Sequence, residues 1–254
     1  RWLEAVRAPD RTAKERGMVP IAGNGAIAAF YLAPTEATER DFEAFVAAAA
    51  QAVAPANGDT VAERAILVQR LGEAATPPLD MIANLLGRAG RVRNPDFPAD
   101  RISYYEALAC ARWFGLSLPQ KSEWKLAAFG DAGKHRFPWN SDAFENSDEY
   151  RNIGDTPVAA DKGGLSWRST NGPAIHHLAG NVAEWLEAAP DSVSGELAGG
   201  SYFDRSRRDQ ERRAAGEDFH AATLTKALPG FGFRMILRPR DYLAPEFAGG
   251  VFPE

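Results

Sequence analysis

SYYEALACARWFGLSLPQKSEW, residues 103–124, reads as two helices joined by a short connection. Ser103 followed three positions later by Glu106 is a capping box, in which each side chain satisfies an amide of the first helical turn. The helix YYEALACARWF then runs to Gly115, and glycine is favoured where a helix ends in the left-handed region. LPQKSEWKLAAFG is a second helix: Pro119 suits its first turn, Trp124 and Ala128 share one face, and Gly130 closes it. Cys110 lies in the apolar run of the first helix. As the single cysteine of the chain it has no intrachain disulfide partner, and it reads as a core residue.

Upstream, MVPIAGNGAIAAFYLAP suggests two strands about the turn Gly23-Asn24-Gly25. Thr38 and Asp41 approach a second capping box, and Phe42, Phe45, Val46 and Ala49 follow at helical spacing, so a helix is expected over about 38–52. Residues 53–97 hold two short helical patterns, VAERAILVQRL and PPLDMIANLLG, ending near Gly72 and Gly87. They read as an insertion packed on one domain that spans 19–254, behind an N-terminal arm at 1–18. Arg88, Arg91 and Arg93 of the insertion are expected to be solvated. Downstream, residues 131–175 are rich in Gly, Asp, Asn, Ser and Pro, and a stretch that long without periodicity must be held by tertiary contacts or ions. The segment from GGSYF to GFGFRMILRPRDY has the short alternating runs of strands.

With 254 residues, 45% hydrophobic and 25% charged, the chain can bury a core without metal or disulfide staples. A net charge of -5 argues against a general nucleic-acid binder. No apolar run reaches the roughly 20 residues that cross a bilayer. One cysteine fits the cytosol as well as a periplasm without disulfides; a start at Arg1 leaves room for a removed signal peptide, and the expectation is an extracytoplasmic, periplasmic protein.

Four landmarks stand in order: residues 103–124, FPWN at 137–140, HLAGNVAEW at 177–185, and AGGSYF at 198–203 with GFGFR at 230–234. Together they resemble the formylglycine-generating enzyme domain, also called the sulfatase-modifying-factor domain. The resemblance implies an α+β, C-type-lectin-like fold with small antiparallel sheets, two main helices and long irregular segments. In catalytic members of that family, two cysteines five positions apart after the GGS motif hold a copper ion that oxidises a substrate cysteine. Here those positions are Asp204 and Asp209. Thiolates suit copper(I) and carboxylates suit harder ions, so no copper is expected.

The segment GGSYFDRSRRDQERRAAG, residues 199–216, carries Arg205, Arg207, Arg208, Arg212 and Arg213. Two readings stand for the paired acids: ion pairs with these arginines, or a metal or acid/base site. His135, His176, His177 and His220 show no metal-ligand spacing. Family members often carry structural calcium, and the resemblance places one such site at His177, Gly180, Val182 and Glu184. His177 and Ala183 depart from the family's pattern there, and Asn181 with Glu184 equally suits a hydrogen-bonded turn. The second calcium site would begin at Asn152-Ile153 and take Asp161 as its acid. Arg213 and Arg234 match arginines that the family keeps.

The resulting expectation is a non-catalytic binding or regulatory protein. Its partner is a protein, such as a secretion-system kinase, contacting residues 199–220 (Asp204, Arg205, Arg207, Arg208, Asp209 and Arg213 at the centre) or the insertion. The alternative is a metal-dependent oxidoreductase or tailoring enzyme of the same broad family with altered metal ligands.

Overall fold

A computed structural model describes residues 12–130, 133, 135–139, 141–144, 156–164 and 174–239. Strands β1 (Val19–Ile21) and β2 (Phe30–Leu32) pair antiparallel, with Val19 opposite Leu32. Their connection is longer than a two-residue turn. Asn24 organises it, its Oδ1 accepting from the amides of Ala26 and Ile27 at 3.0 and 2.8 Å. Helix α1 (Glu39–Val53) starts at Thr38, where the capping box with Asp41 is complete, and it buries Phe42, Phe45, Val46 and Ala49.

The insertion folds as α2 (Thr60–Leu71) and α3 (Leu79–Leu86), capped by Gly72 and Gly87. Leu67, Ile82 and Leu85 join the same core as α1, so the insertion shares the main core rather than forming one of its own. Helices α4 (Tyr104–Trp113) and α5 (Lys121–Phe129) follow. Ser103 and Glu106 make the capping box at α4. At α5 the cap is Gln120, answered by Glu123, so Pro119 precedes the helix instead of opening it.

Strands β3 (Ala183–Trp185), β4 (Ser194–Ala198), β5 (His220–Thr223), β6 (Phe231–Gly232) and β7 (Ile236–Leu237) complete two small sheets, in the orders β1-β2-β7 and β5-β4-β3-β6. The second sheet is mixed, because β3 and β6 run parallel. Helix α6 (Arg207–Ala214) lies between β4 and β5, where the sequence suggested extended runs. Ser206 caps it, Asp209 sits in its first turn and Arg212 with Arg213 in its last, which opposes each charge to the helix dipole. The fold is therefore α+β with small sheets and several helices, α6 being added to those the sequence suggested.

One core cluster joins α1 to α4 with Trp185, Leu197 and Phe231 of the second sheet; another packs Trp124, Leu126 and Ala128 of α5 on β1, β2 and Ile236. Fully burying one such large side chain stabilises by roughly 1.5–3 kcal/mol. Among the described residues no helix is long and apolar enough to cross a membrane.

Candidate binding face and buried polar lock

The GGS turn follows β4 directly. Gly199 and Gly200 both have positive φ, at 82° and 74°, which lets the chain reverse without strain. A Cβ on Gly200 would stand 2.7 Å from Oδ2 of Asp204, so the missing side chain makes room for that carboxylate. Oδ2 accepts from the amide of Ser201 at 2.9 Å, and Oδ1 accepts from the Arg213 guanidinium. Gln210 donates to the Asp204 carbonyl at 2.6 Å and ties the turn to α6. Asp209 is placed differently. It lies in the first turn of α6, where its amide donates to Ser206 Oγ, and no ion pair forms on its carboxylate among the described residues. The two acids at the positions of the copper cysteines thus sit on different elements, one clamped and one helical.

The remaining charges of this face divide. Arg136 bridges Glu211 and Glu217 at 2.6 and 3.0 Å, and Arg212 faces Asp218 at 3.9 Å. Arg205 lies 5.3 Å over the ring of Phe203, which is half exposed, and Arg207 lies 5.9 Å over Phe144. Arg208 is exposed. Tyr202 is buried, and its hydroxyl donates to Asp100 Oδ2 at 2.9 Å; burial, with the nearby carboxylate, pushes the phenol up to about 12. Asp100 Oδ1 accepts the Gly230 amide at 2.7 Å. Cys110 is sealed inside α4, where burial holds its thiol well above the usual range, far from thiolate chemistry.

The GNVAE segment forms a second constellation, entirely internal. Gly180, His177 and Asn181 have φ of 83°, 54° and 56°. Glu184 Oε1 accepts from Arg234 Nε and Nη2 at 3.0 and 2.8 Å, while Oε2 accepts from Trp124 Nε1 at 2.9 Å. Arg234 also donates to the carbonyls of Ala33 and His176, at 2.9 and 2.6 Å, so one guanidinium ties both of these positions to Glu184. Glu36 accepts from Asn181 Nδ2 at 2.8 Å and from the Val182 amide at 3.1 Å. Burial nevertheless raises its carboxyl to about 8. Asn181 Oδ1 accepts the amide of Val158 at 3.0 Å.

His177 is buried, neither ring nitrogen makes a hydrogen bond of good geometry among the described residues, and burial lowers its imidazolium to about 4.

This donor set does not fit calcium. An oxygen-seeking ion would meet a neutral imidazole at His177 and, at Glu184, a carboxylate already filled by three N–H donors beside a guanidinium. Asn152 and Ile153 lie outside the described residues. Asp161 is exposed and stands 3.6 Å from Lys162 Nζ. No group of three or more His, Cys, Asp or Glu suited to a metal occurs among the described residues.

Three features escaped the sequence reading. Glu36 sits in a loop with no periodicity to mark it as buried. Arg238, which the sequence reading placed only in a strand-like segment, pairs with Glu123 at 2.6 Å and with Glu187 at 2.9 Å. Arg88, expected to be solvated, stacks 4.6 Å over Phe42 and pairs with Glu106 at 2.9 Å.

A family model described as the sulfatase-modifying factor enzyme 1-like domain matches residues 8–239. The chain is similar to the formylglycine-generating enzyme of Thermomonospora curvata, 34% identical over 101 residues, 36% of this chain and 33% of that protein. It is also similar to the inactive C-alpha-formylglycine-generating enzyme 2 of Bos taurus, 27% identical over 155 residues, 55% of this chain and 50% of that protein. The chain thus spans about a third of the first relative's length and half of the second's. Among solved structures, PvdO from Pseudomonas aeruginosa superposes with a TM-score of 0.50 at 14% identity, covering 87% of this chain and 91% of that one. At that identity the likeness shows the fold alone.

Proposed function

Because the chain belongs to the family of sulfatase-modifying factor enzyme 1-like domains, we propose that it is a non-catalytic binding or regulatory protein on that scaffold. The observation that carries this reading is the state of Asp204. At the first copper-cysteine position, both oxygens of a carboxylate are engaged, one by Arg213 and one by the Ser201 amide. A soft ion has no ligand there, and a hard ion would have to displace an internal cation. Asp209 adds no second donor to that clamp, and Cys110 is inaccessible. The likeness to a relative named as inactive supports the same reading.

What the face offers instead is a surface: Phe203 with Arg205 stacked on it, the exposed Arg208, and Arg207 beside Phe144. Aromatic and arginine side chains are the usual anchors of protein interfaces. The partner is a protein contacting residues 199–220, such as a secretion-system kinase, in a periplasmic setting.

Two measurements test this. Anaerobic copper(I) titration against a competing chelator should show no stoichiometric copper, and a cysteine peptide incubated separately with the protein, copper and a thiol reductant in air should show no formylglycine by mass analysis. Retained copper, or iron or manganese with turnover, would establish the oxidoreductase alternative. Charge reversal at Arg205, Arg207 and Arg208 should abolish the partner interaction; an interaction left intact removes this face from the proposal.

A further inference from the structure

Between the end of the insertion and the body of the domain lies a cavity of about 560 Å³, within the range of ligand sites. Its wall is the loop after α3, and its base is formed by α1 and the segment leading into α4. The loop is fastened by acids of α1: Glu43 accepts the amide of Gly90 at 2.6 Å, and Glu39 accepts the amides of Arg93 and Asn94 at 2.8 and 3.0 Å. Those two carboxylates are committed to backbone. The third, Asp100, is committed to Tyr202 and the Gly230 amide.

The arginines of the cavity are not equivalent. Arg88 is neutralised by Glu106, and Arg101 Nε stands 3.9 Å from Asp100. Arg91 and Arg93 are exposed, and among the described residues no carboxylate lies within ion-pair distance of either guanidinium. Two forks without an ion-pair partner therefore stand two positions apart on a recess whose lining also holds the apolar side chains of Phe42, Val92, Phe97 and Pro157 and the backbone-bound carboxylates of Glu39 and Glu43.

We propose that this cavity recognises an acidic peptide segment of a partner protein, with Arg91 and Arg93 each taking a carboxylate and the apolar lining taking a side chain between them. A guanidinium matches a carboxylate through two parallel hydrogen bonds. A bare inorganic anion would leave the apolar lining unfilled. A long polyanion would meet a protein of net charge -5. The inference rests on the reading of the chain as a binding protein and gives that reading a second contact surface, built by the insertion.

The test is selection from a displayed library of random peptides on the wild-type protein and on R91E/R93E, followed by fluorescence anisotropy of the enriched sequences. Both arginines are exposed, so the double variant should fold. The expected result is a pool enriched in Glu and Asp flanking an apolar residue, with affinity falling at least about tenfold in R91E/R93E and in rising salt. A pool without acidic enrichment, or one that binds R91E/R93E as tightly, overturns the proposal. Pyrophosphate binding in calorimetry through the same arginines, with no peptide enriched, also overturns it in favour of a small-anion site. Failure here leaves the non-catalytic reading standing, since that falls only to copper retention or turnover.

Discussion

Arg234 and Glu184 meet in full burial, two guanidinium nitrogens on one carboxylate oxygen, with side-chain exposures of 0% and 1%. Removing one member of such a pair strands a charge that the protein cannot hydrate. Arg234→Met should therefore cost about 3–5 kcal/mol in urea unfolding. Glu184→Gln should cost a comparable amount, because it leaves the guanidinium buried without a counter-charge and sets an NH2 group against either Arg234 or Trp124 Nε1. A loss below about 1 kcal/mol for either variant would contradict this account.

Calcium should not act at this segment. Amide hydrogen exchange across residues 177–185 should be the same in chelator as in millimolar calcium, because the carboxylate of Glu184 is already satisfied. Protection that rises specifically at these amides with calcium would show that the ion displaces Arg234.

The buried acid and the buried imidazole make opposite demands on pH. Glu36 moves from its ordinary 4.5 to about 8 on folding, so between those values the unfolded chain has lost a proton that the folded chain keeps, and stability falls as pH rises. His177 moves from 6.5 to about 4, so stability falls as pH drops through that window. From about 4.5 to 6.5 the two slopes oppose; from 6.5 to 8 Glu36 acts alone, at up to about 1.4 kcal/mol per pH unit. Unfolding midpoints measured from pH 5 to 9 should thus drop above pH 6.5 in the wild type. Glu36→Gln should lose that drop, and His177→Asn should begin it near pH 4.5. A Glu36→Gln profile parallel to the wild type would sink the assignment.

Gly200→Ala tests the clamp on Asp204. It adds a methyl group at positive φ, 2.7 Å from the carboxylate that Arg213 holds. The expected loss is about 1–3 kcal/mol. Asp204→Ala in the same background should then cost less than it does alone, since both changes release one contact. Strict additivity in the double-mutant cycle would separate them.

How much of this could be read beforehand followed from the kind of signal involved. Thr38 with Asp41, and Ser103 with Glu106, fix helix starts through side chains three positions apart, so α1 and α4 were legible almost to the residue. Gly72 and Gly87 marked the ends of the insertion helices in the same local way. Helix α6 was missed because Ala214 is its only fully buried residue, leaving no apolar period to detect. The order of the motifs conveyed the family and the position of Asp204. Its partner was hidden among five nearby arginines, and choosing Arg213 needed the turn at Gly200 and the helix that follows. Glu36, Glu184 and Arg234 lie up to 198 positions apart, and no local pattern announces that they share one buried cluster.

The last described residues do a disproportionate share of joining. Phe231 and Gly232 pair with β3, Ile236 and Leu237 pair with β2, Arg234 reaches Ala33 and His176, and Arg238 reaches Glu123 and the carbonyl of Leu118. During synthesis these residues emerge after every element they hold. Until then the ribosome carries two unfinished sheets, a Glu184 without its guanidinium and a Glu123 without Arg238. Cooperative folding must wait for residues 231–238 to clear the exit tunnel, and a stop codon placed just before Phe231 should yield a chain degraded rather than a shortened domain.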